Sequence, residues 1–174
     1  MSGYFDYNNH NRKIVSTLLG FTLIELLVVI SIIGILATLL LANYSATRER
    51  ARDAQRKSDL RNIQTALRMF YNDFNRYPSS SSGQIVGCGT SGNTVCGWGK
   101  TFSAGSTNVV YMNILPKDPQ SNRRYNYVAT GGEYTLSACL ENKGDDKCKK
   151  DASGNLVSCS WMSGVDGCVY EVKP

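Results

Sequence analysis

Polar and apolar positions divide the chain into three zones. From Phe21 to Ala42, a run of 22 residues carries a single ionisable side chain, Glu25. As a helix this run would span roughly 33 Å, the thickness of a bilayer's hydrocarbon core. The next zone, 43–77, reads as a continuation of the same helix. In "SATRERARDAQRKSDLR", Ala46, Ala51 and Ala54 lie among charges, and this half is expected to be exposed. Then Leu60, Ile63, Leu67, Phe70, Phe74 and Tyr77 recur at steps of three and four, which places them on one helix face. Pro78 and "SSSSG" end the pattern. An element covering 21–77 would be about 85 Å long. Its first half is apolar all round, which suits a membrane or a bundle of subunits rather than water.

The third zone, 78–174, carries strand signals. In "RYNYVAT-GG-EYTLSAC", Tyr125, Tyr127 and Ala129 alternate against Tyr134, Leu136 and Ala138, with a two-glycine turn between them. This predicts a β-hairpin lying on the Leu60–Tyr77 stripe. "NLVSC" and "CVYEV" suggest a second short pair. The segment 79–107 is rich in Gly and Ser and reads as an extended loop pinned by Cys88 and Cys96. The expected fold class is α+β: a long N-terminal helix, membrane-spanning in its first half, packed on a small antiparallel sheet with a disulfide-rich C-terminal region.

Composition adds a compartment. All six cysteines fall in the C-terminal half, an even number at short spacings in turn-rich surroundings. That pattern predicts disulfides formed in an oxidising compartment. Pairing neighbours in sequence closes the shortest loops, so Cys88–Cys96, Cys139–Cys148 and Cys159–Cys168 are the expected bonds. Zinc is the competing reading; it ranks lower because no CxxC pair occurs and the only histidine, His10, precedes the apolar run.

The net charge of +5 comes largely from Arg48–Arg61. That stretch reads mainly as a solvated helix face with internal pairs, such as Glu49–Asp53 flanked by arginines. Contact with anionic lipid or with neighbouring subunits is the functional alternative. Nucleic acid is disfavoured as a partner, because no aromatic residues interleave the charges as a stacking platform.

Ahead of the apolar run stand Arg12 and Lys13; beyond it stand Arg48, Arg50, Arg52, Arg56, Lys57 and Arg61. The positive-inside rule alone would put the C-terminal part in the cytoplasm, whereas the cysteines put it outside. The run is longer than a signal peptide's apolar core, and "LLLANYSATRER" lacks a clear small-x-small cleavage site, so a retained anchor is favoured. Glu25 is the discriminating residue. A carboxylate in apolar surroundings is costly, and an ammonium group on Phe21, created by a cut after Gly20, would compensate it. A neighbouring subunit's ammonium would serve equally.

"GFTLIELLVVISIIGILATLLLANY" resembles the class III signal and N-terminal helix of type IV pilins and type II secretion pseudopilins. The resemblance implies Gly20 as the cleavage residue, Phe21 as the N-methylated first residue and Glu25 as the assembly glutamate. It also implies a cleaved leader (1–20), a transmembrane and assembly helix (21–42), an amphipathic continuation (43–77) and a globular β-rich head (78–174). The leader would stay cytoplasmic and the head outside, on an inner-membrane protein that later joins a periplasmic or extracellular filament. Its partners would be copies of itself, a prepilin peptidase, an inner-membrane assembly platform and a cytoplasmic ATPase. "MFYNDFNRYP" and "LPKDP" resemble the helix end and loop of the major pseudopilin of type II secretion. That family often follows the second motif with Trp and Gly, where this chain has Gln120 and Ser121. The competing uses are a surface type IV pilin for adhesion, motility or DNA uptake, and, in another class, an anchored binding protein that never polymerises.

Enzyme chemistry is disfavoured. Removing a leader removes His10, which excludes histidine catalysis, and disulfide-bonded cysteines are not nucleophiles. No phosphate-binding glycine loop occurs. No cofactor is expected except a structural calcium ion at Glu141, Asp145 and Asp146 in "LENKGDDKC". A polar turn closed by cysteines is the preferred reading of that loop.

Overall fold

The computed structural model describes residues 20–174, with the side chains of 39–43 left out. The leader, with His10, Arg12 and Lys13, therefore lies outside the described residues except for Gly20. The chain divides into two compact units, 1–42 and 43–174. One helix, α1 (Leu23–Phe74), contributes to both.

In the first unit Thr22 caps α1. Its Oγ1 accepts a hydrogen bond from the Glu25 amide at 3.3 Å, while Glu25 Oε2 accepts from the Thr22 amide and hydroxyl at 3.0 and 2.7 Å. This is a reciprocal capping box, Thr at the cap and Glu at the third helical position, which satisfies donors that a helix end leaves unpaired. From Phe21 to Thr38 every side chain is exposed, apolar ones included. Among the described residues no helix is long and apolar enough to cross a membrane.

In the second unit α1 lays its stripe on a β-rich head. Leu60, Ile63, Leu67 and Phe70 are fully buried, as the periodicity requires. The helix stops at Phe74 rather than at Tyr77. Asn75 takes a left-handed conformation (φ 49°) and its amide still reaches the Tyr71 carbonyl at 2.8 Å, a short polar residue closing a helix C-terminus. Tyr77 nevertheless packs on the same core from beyond the helix end.

The hairpin is present: β6 (Asn126–Thr130) pairs antiparallel with β7 (Glu133–Leu140), placing Tyr127 opposite Leu136 and Ala129 opposite Tyr134. Gly131 and Gly132 both have positive φ, 63° and 88°, the backbone that a two-residue turn of this hand demands. The partner expected for "CVYEV" is different. β8 (Cys168–Val172) pairs along its length with β7; "NLVSC" forms no strand beside it, but the Val169 amide donates to the Val157 carbonyl at 3.0 Å and Leu156 bridges to Lys150. The core side of β7 already offers Leu136 and Ala138, so Val172 and Tyr170 extend an existing apolar surface.

The 79–107 segment is not a loop. It folds into β1 (Ser79–Ser81), β2 (Gln84–Cys88) and β3 (Thr94–Cys96), an antiparallel sheet, followed by β4 (Phe102–Ala104) paired with β5 (Val109–Met112). Ile85, Phe102 and Ala104 supply the burial, and they are too sparse in a Gly/Ser-rich stretch to show a clear alternation. Backbone bonds join this layer to its neighbours: Tyr127 donates to the Gly83 carbonyl at 3.0 Å, and Gly89 to the Ser103 carbonyl at 3.1 Å.

Cys88 is bonded to Cys96, but the other two bonds are Cys139–Cys159 and Cys148–Cys168, not the sequence-adjacent Cys139–Cys148 and Cys159–Cys168. Sheet geometry explains the exchange. Cys139 stands opposite Val169 and Leu140 opposite Cys168, and successive residues of a strand face opposite sides. Cys139 and Cys168 therefore lie on opposite faces. Cys139 and Val169 share one small cluster with Cys159, while Leu140 and Cys168 share another with Cys148. Each bond thus pins one pass of the 141–167 segment to one face of β7–β8. Non-reducing peptide mapping should recover the 139–159 and 148–168 cross-links. Replacing Cys148 and Cys168 together by Ser should cost about 2–4 kcal/mol in a denaturant melt.

Candidate functional site

Extending the apolar stripe backwards by helical steps, from Leu60 by four and by seven, reaches Arg56 and Asp53. Both are buried, Arg56 completely. A buried guanidinium is tolerable only if its donors are paired, and here all five N–H groups are used. Nε and Nη2 grip Asp118 in a two-pronged pair at 2.8 Å each. Nη1 donates to Asp53 at 2.8 Å and to Glu141 at 2.6 Å, and Nη2 also reaches Gln120 at 3.2 Å.

The partners come from three places: α1 itself, the "LPKDP" loop and the end of β7. Asp118 of that loop also accepts the Gln120 amide at 2.9 Å, which fixes the turn. Asp53 accepts the backbone amides of Glu141 and Asn142 at 2.9 Å each, so a helix carboxylate terminates β7. Arg52 forks onto Glu141 at 2.7 and 2.6 Å. That pairing with Arg52, joined by Arg56 and opposed by burial, holds the Glu141 carboxyl at a pKa of about 2. Burial opposes the charge on Arg56, but its bonds to Asp118, Glu141 and Asp53 raise its pKa overall. Lower on the helix, the Tyr125 hydroxyl donates to Asp59 and the Tyr111 hydroxyl to Asp73, each at 2.7 Å.

The arrangement is mechanical: it fixes the rotation and height of α1 against the head. The stretch read as a solvated face is therefore solvated only in part. Arg48 and Arg50 are exposed, whereas Arg52, Asp53, Arg56 and Lys57 bind the head. Asp53 pairs with Arg56 at 2.8 Å.

The same contacts engage the three carboxylates of the calcium reading. Glu141 is held by Arg52 and Arg56, Asp145 by Lys57, and Asp146 by Lys147 at the surface. Among the described residues no three acidic, histidine or cysteine side chains are grouped to hold a metal ion. A cation site needs several oxygens converging on one point, and here each carboxylate answers a different side chain.

At the other candidate site, Gly20 and Phe21 precede the capping box without regular structure. Glu25 Oε2 takes both Thr22 donors, and the described hydrogen bonds leave Oε1 free. Phe21, Ile24, Glu25, Val28 and Val29 line an open, largely apolar depression on this helix.

Two family models match the chain, one on each side of residue 42. The model of the family described as type II secretion system (T2SS), protein G, matches residues 43–155, and the prokaryotic N-terminal methylation motif matches 19–41. The chain belongs to the type II secretion system protein G family. It is 34% identical to the type II secretion system core protein G of Pseudomonas aeruginosa over 73% of this chain and 88% of that protein. To the core protein G of Aeromonas hydrophila it is 35% identical, over 59% of this chain and 68% of the relative. A shorter match, 44% identical, covers 37% of this chain and 41% of the Pectobacterium carotovorum core protein G. The type IV major pilin protein PilA of Myxococcus xanthus is 37% identical over 41% of this chain, but only 29% of that pilin is spanned. No solved structure matches the chain.

Replacing Arg56 by Met should cost about 3–5 kcal/mol of unfolding free energy, because Asp53 and Asp118 stay buried with their partner gone. The exposed Arg50→Met control should stay within about 0.5 kcal/mol in the same denaturant series. Chelation by EDTA, or added calcium, should move the melting temperature of the full chain by less than about 1 °C.

Proposed function

We propose that the chain is the major subunit of a type II secretion pseudopilus: an inner-membrane-anchored protein, its head outside the cytoplasm, that polymerises into a filament through its apolar helix. The observation that carries this reading is an apolar stretch at the start of α1 with no buried face: every described side chain from Phe21 to Thr38 is exposed. Such a helix requires lipid before assembly and other helices after it. The membership in the protein G family and the match to the methylation motif support the same two-state life.

In this reading a prepilin peptidase cuts after Gly20 and methylates Phe21. The new ammonium then pairs with the unused oxygen of Glu25, on its own or a neighbouring helix. Burying that carboxylate inside a filament without a cation would be strongly unfavourable, so the pairing sets the axial register between subunits. The 21–42 segment is the membrane-spanning and assembly helix, and the head coats the filament. An inner-membrane platform and a cytoplasmic ATPase supply the assembly machinery and the energy. The shorter match to a type IV pilin favours the surface-pilus alternative less, because it spans under a third of that protein.

Mass spectrometry of the native protein should find an N-methylated Phe21 as first residue. Glu25→Ala should abolish incorporation into filaments in cells while leaving membrane insertion and head stability intact. An intact Met1, or filaments of normal yield from Glu25→Ala, would refute the mechanism.

A further inference from the structure

The cations that follow the apolar run do not all serve the same end. Arg52, Arg56 and Lys57 are bound by carboxylates of the head. Arg48 and Arg50, nearer the run, are exposed, and among the described residues neither has an ion pair. The two carboxylates that share a cleft with Arg50, Asp53 and Asp145, are taken by Arg56 and Lys57. Glu49, the one acid in 43–52, is half-buried on the helix face between the two arginines.

Arg48 points as long helical side chains do, back toward the helix N-terminus. Its guanidinium lies over the Tyr44 ring, 5.4 Å from the centroid, one turn earlier. Tyr44 is itself exposed and stands two residues past Ala42, where the apolar run ends. The charge is thereby held at the level of Tyr44, about 3 Å along the helix beyond that end, whereas the Arg48 backbone is about 9 Å beyond it. Arg50 follows about 200° round the helix, so the two cations flank α1 on opposite sides. An amphipathic ring carrying a fixed cation, directly past an apolar run of bilayer length, matches the layer where lipid phosphates lie, apolar on one side and charged on the other.

We propose that Tyr44, Arg48 and Arg50 form a collar that binds the phosphates of anionic phospholipid in the leaflet facing the head. The proposal rests on the reading of 21–42 as a membrane segment. Zwitterionic lipid brings its own ammonium beside each phosphate, so the collar favours headgroups of net negative charge, by about five-fold for each arginine at the surface. A second copy of the chain is a poorer counter-charge, because each copy carries +5. The three side chains are free to serve this end because the head already holds its place on α1 through Arg52, Arg56 and Lys57.

Photo-crosslinking reads the lipid directly. The full chain, with p-benzoylphenylalanine in place of the exposed Ser45, is inserted into vesicles of phosphatidylglycerol and phosphatidylcholine in equal amounts and irradiated. Mass spectrometry should find phosphatidylglycerol adducts several-fold in excess, with the excess shrinking as salt is added. Arg48→Gln with Arg50→Gln should bring the two lipids close to parity. Tyr44→Ala should weaken the preference by a smaller factor, and Tyr44→Phe, which keeps the ring face, should retain it. Arg61→Gln with Arg68→Gln removes the same charge from exposed positions farther along α1 and should leave the preference intact. All of these side chains are exposed, so head melting should be unchanged throughout and checks that each variant folds. Equal adducts of the two lipids on the unmodified collar, or an equal loss in both double variants, would overturn the proposal and leave the membrane anchor standing. No lipid adduct at all would overturn the anchor reading with it.

Discussion

A guanidinium sealed from water, with every donor answered, is the constraint on which the head depends. Arg56 draws its partners from the helix, from the "LPKDP" loop and from the end of β7, so none of the three can move without unpairing a buried charge. Apolar contacts alone tolerate sliding, because Leu60, Ile63 and Leu67 would remain covered after a small rotation. A fully used arginine does not tolerate it. Rotating α1 by one residue, about 100°, would carry Arg56 away from Asp118 and unpair the Glu141 and Asn142 amides, just past β7, that Asp53 caps. The cluster thus supplies definition of geometry more than net stability, the use to which buried ion pairs are best suited.

The disulfides impose a second, separate constraint. Beyond β7 the chain makes a long irregular excursion, 141–167, before returning as β8. Few apolar side chains cover it, and they gather around the two bonds: Val157, Trp161, Met162 and Val165 around Cys139–Cys159, and Tyr170 around Cys148–Cys168. A segment with so little core of its own is held in place by covalent closure. Because the two bonds lie on opposite faces of the same strand pair, they clasp the sheet from both sides. Either bond alone would leave one face of the excursion unpinned.

Legibility in the sequence followed periodicity. The stripe from Leu60 to Phe70 and the "GG" hairpin repeat at the helix and strand periods, and both stand in the structure as read. What failed lacked a period. The 79–107 segment forms short strands in which small residues mask the alternation, and disulfide pairing depends on which face of a strand a cysteine occupies, which spacing cannot show. The charge cluster was missed for a different reason. Arg56 and Asp53 fall on the core face when the apolar stripe is carried backwards, but charged residues are read as surface by default. Glu25 drew attention as an isolated acid in apolar surroundings, while Thr22, three positions earlier, completes a capping signature that was equally visible.

That cap has a bearing on the order of events at the helix start. Thr22 and Glu25 are already locked together in a chain that still has residues ahead of Phe21. On the proposed cut after Gly20, Thr22 remains an internal amide, so the peptidase alters charge without having to refold anything. Precursor and product would share one shape at the helix tip and differ by a single proton-bearing amine. Maturation would then act as a chemical password stamped on a finished key, and a subunit lacking it would be excluded from the polymer by electrostatics alone.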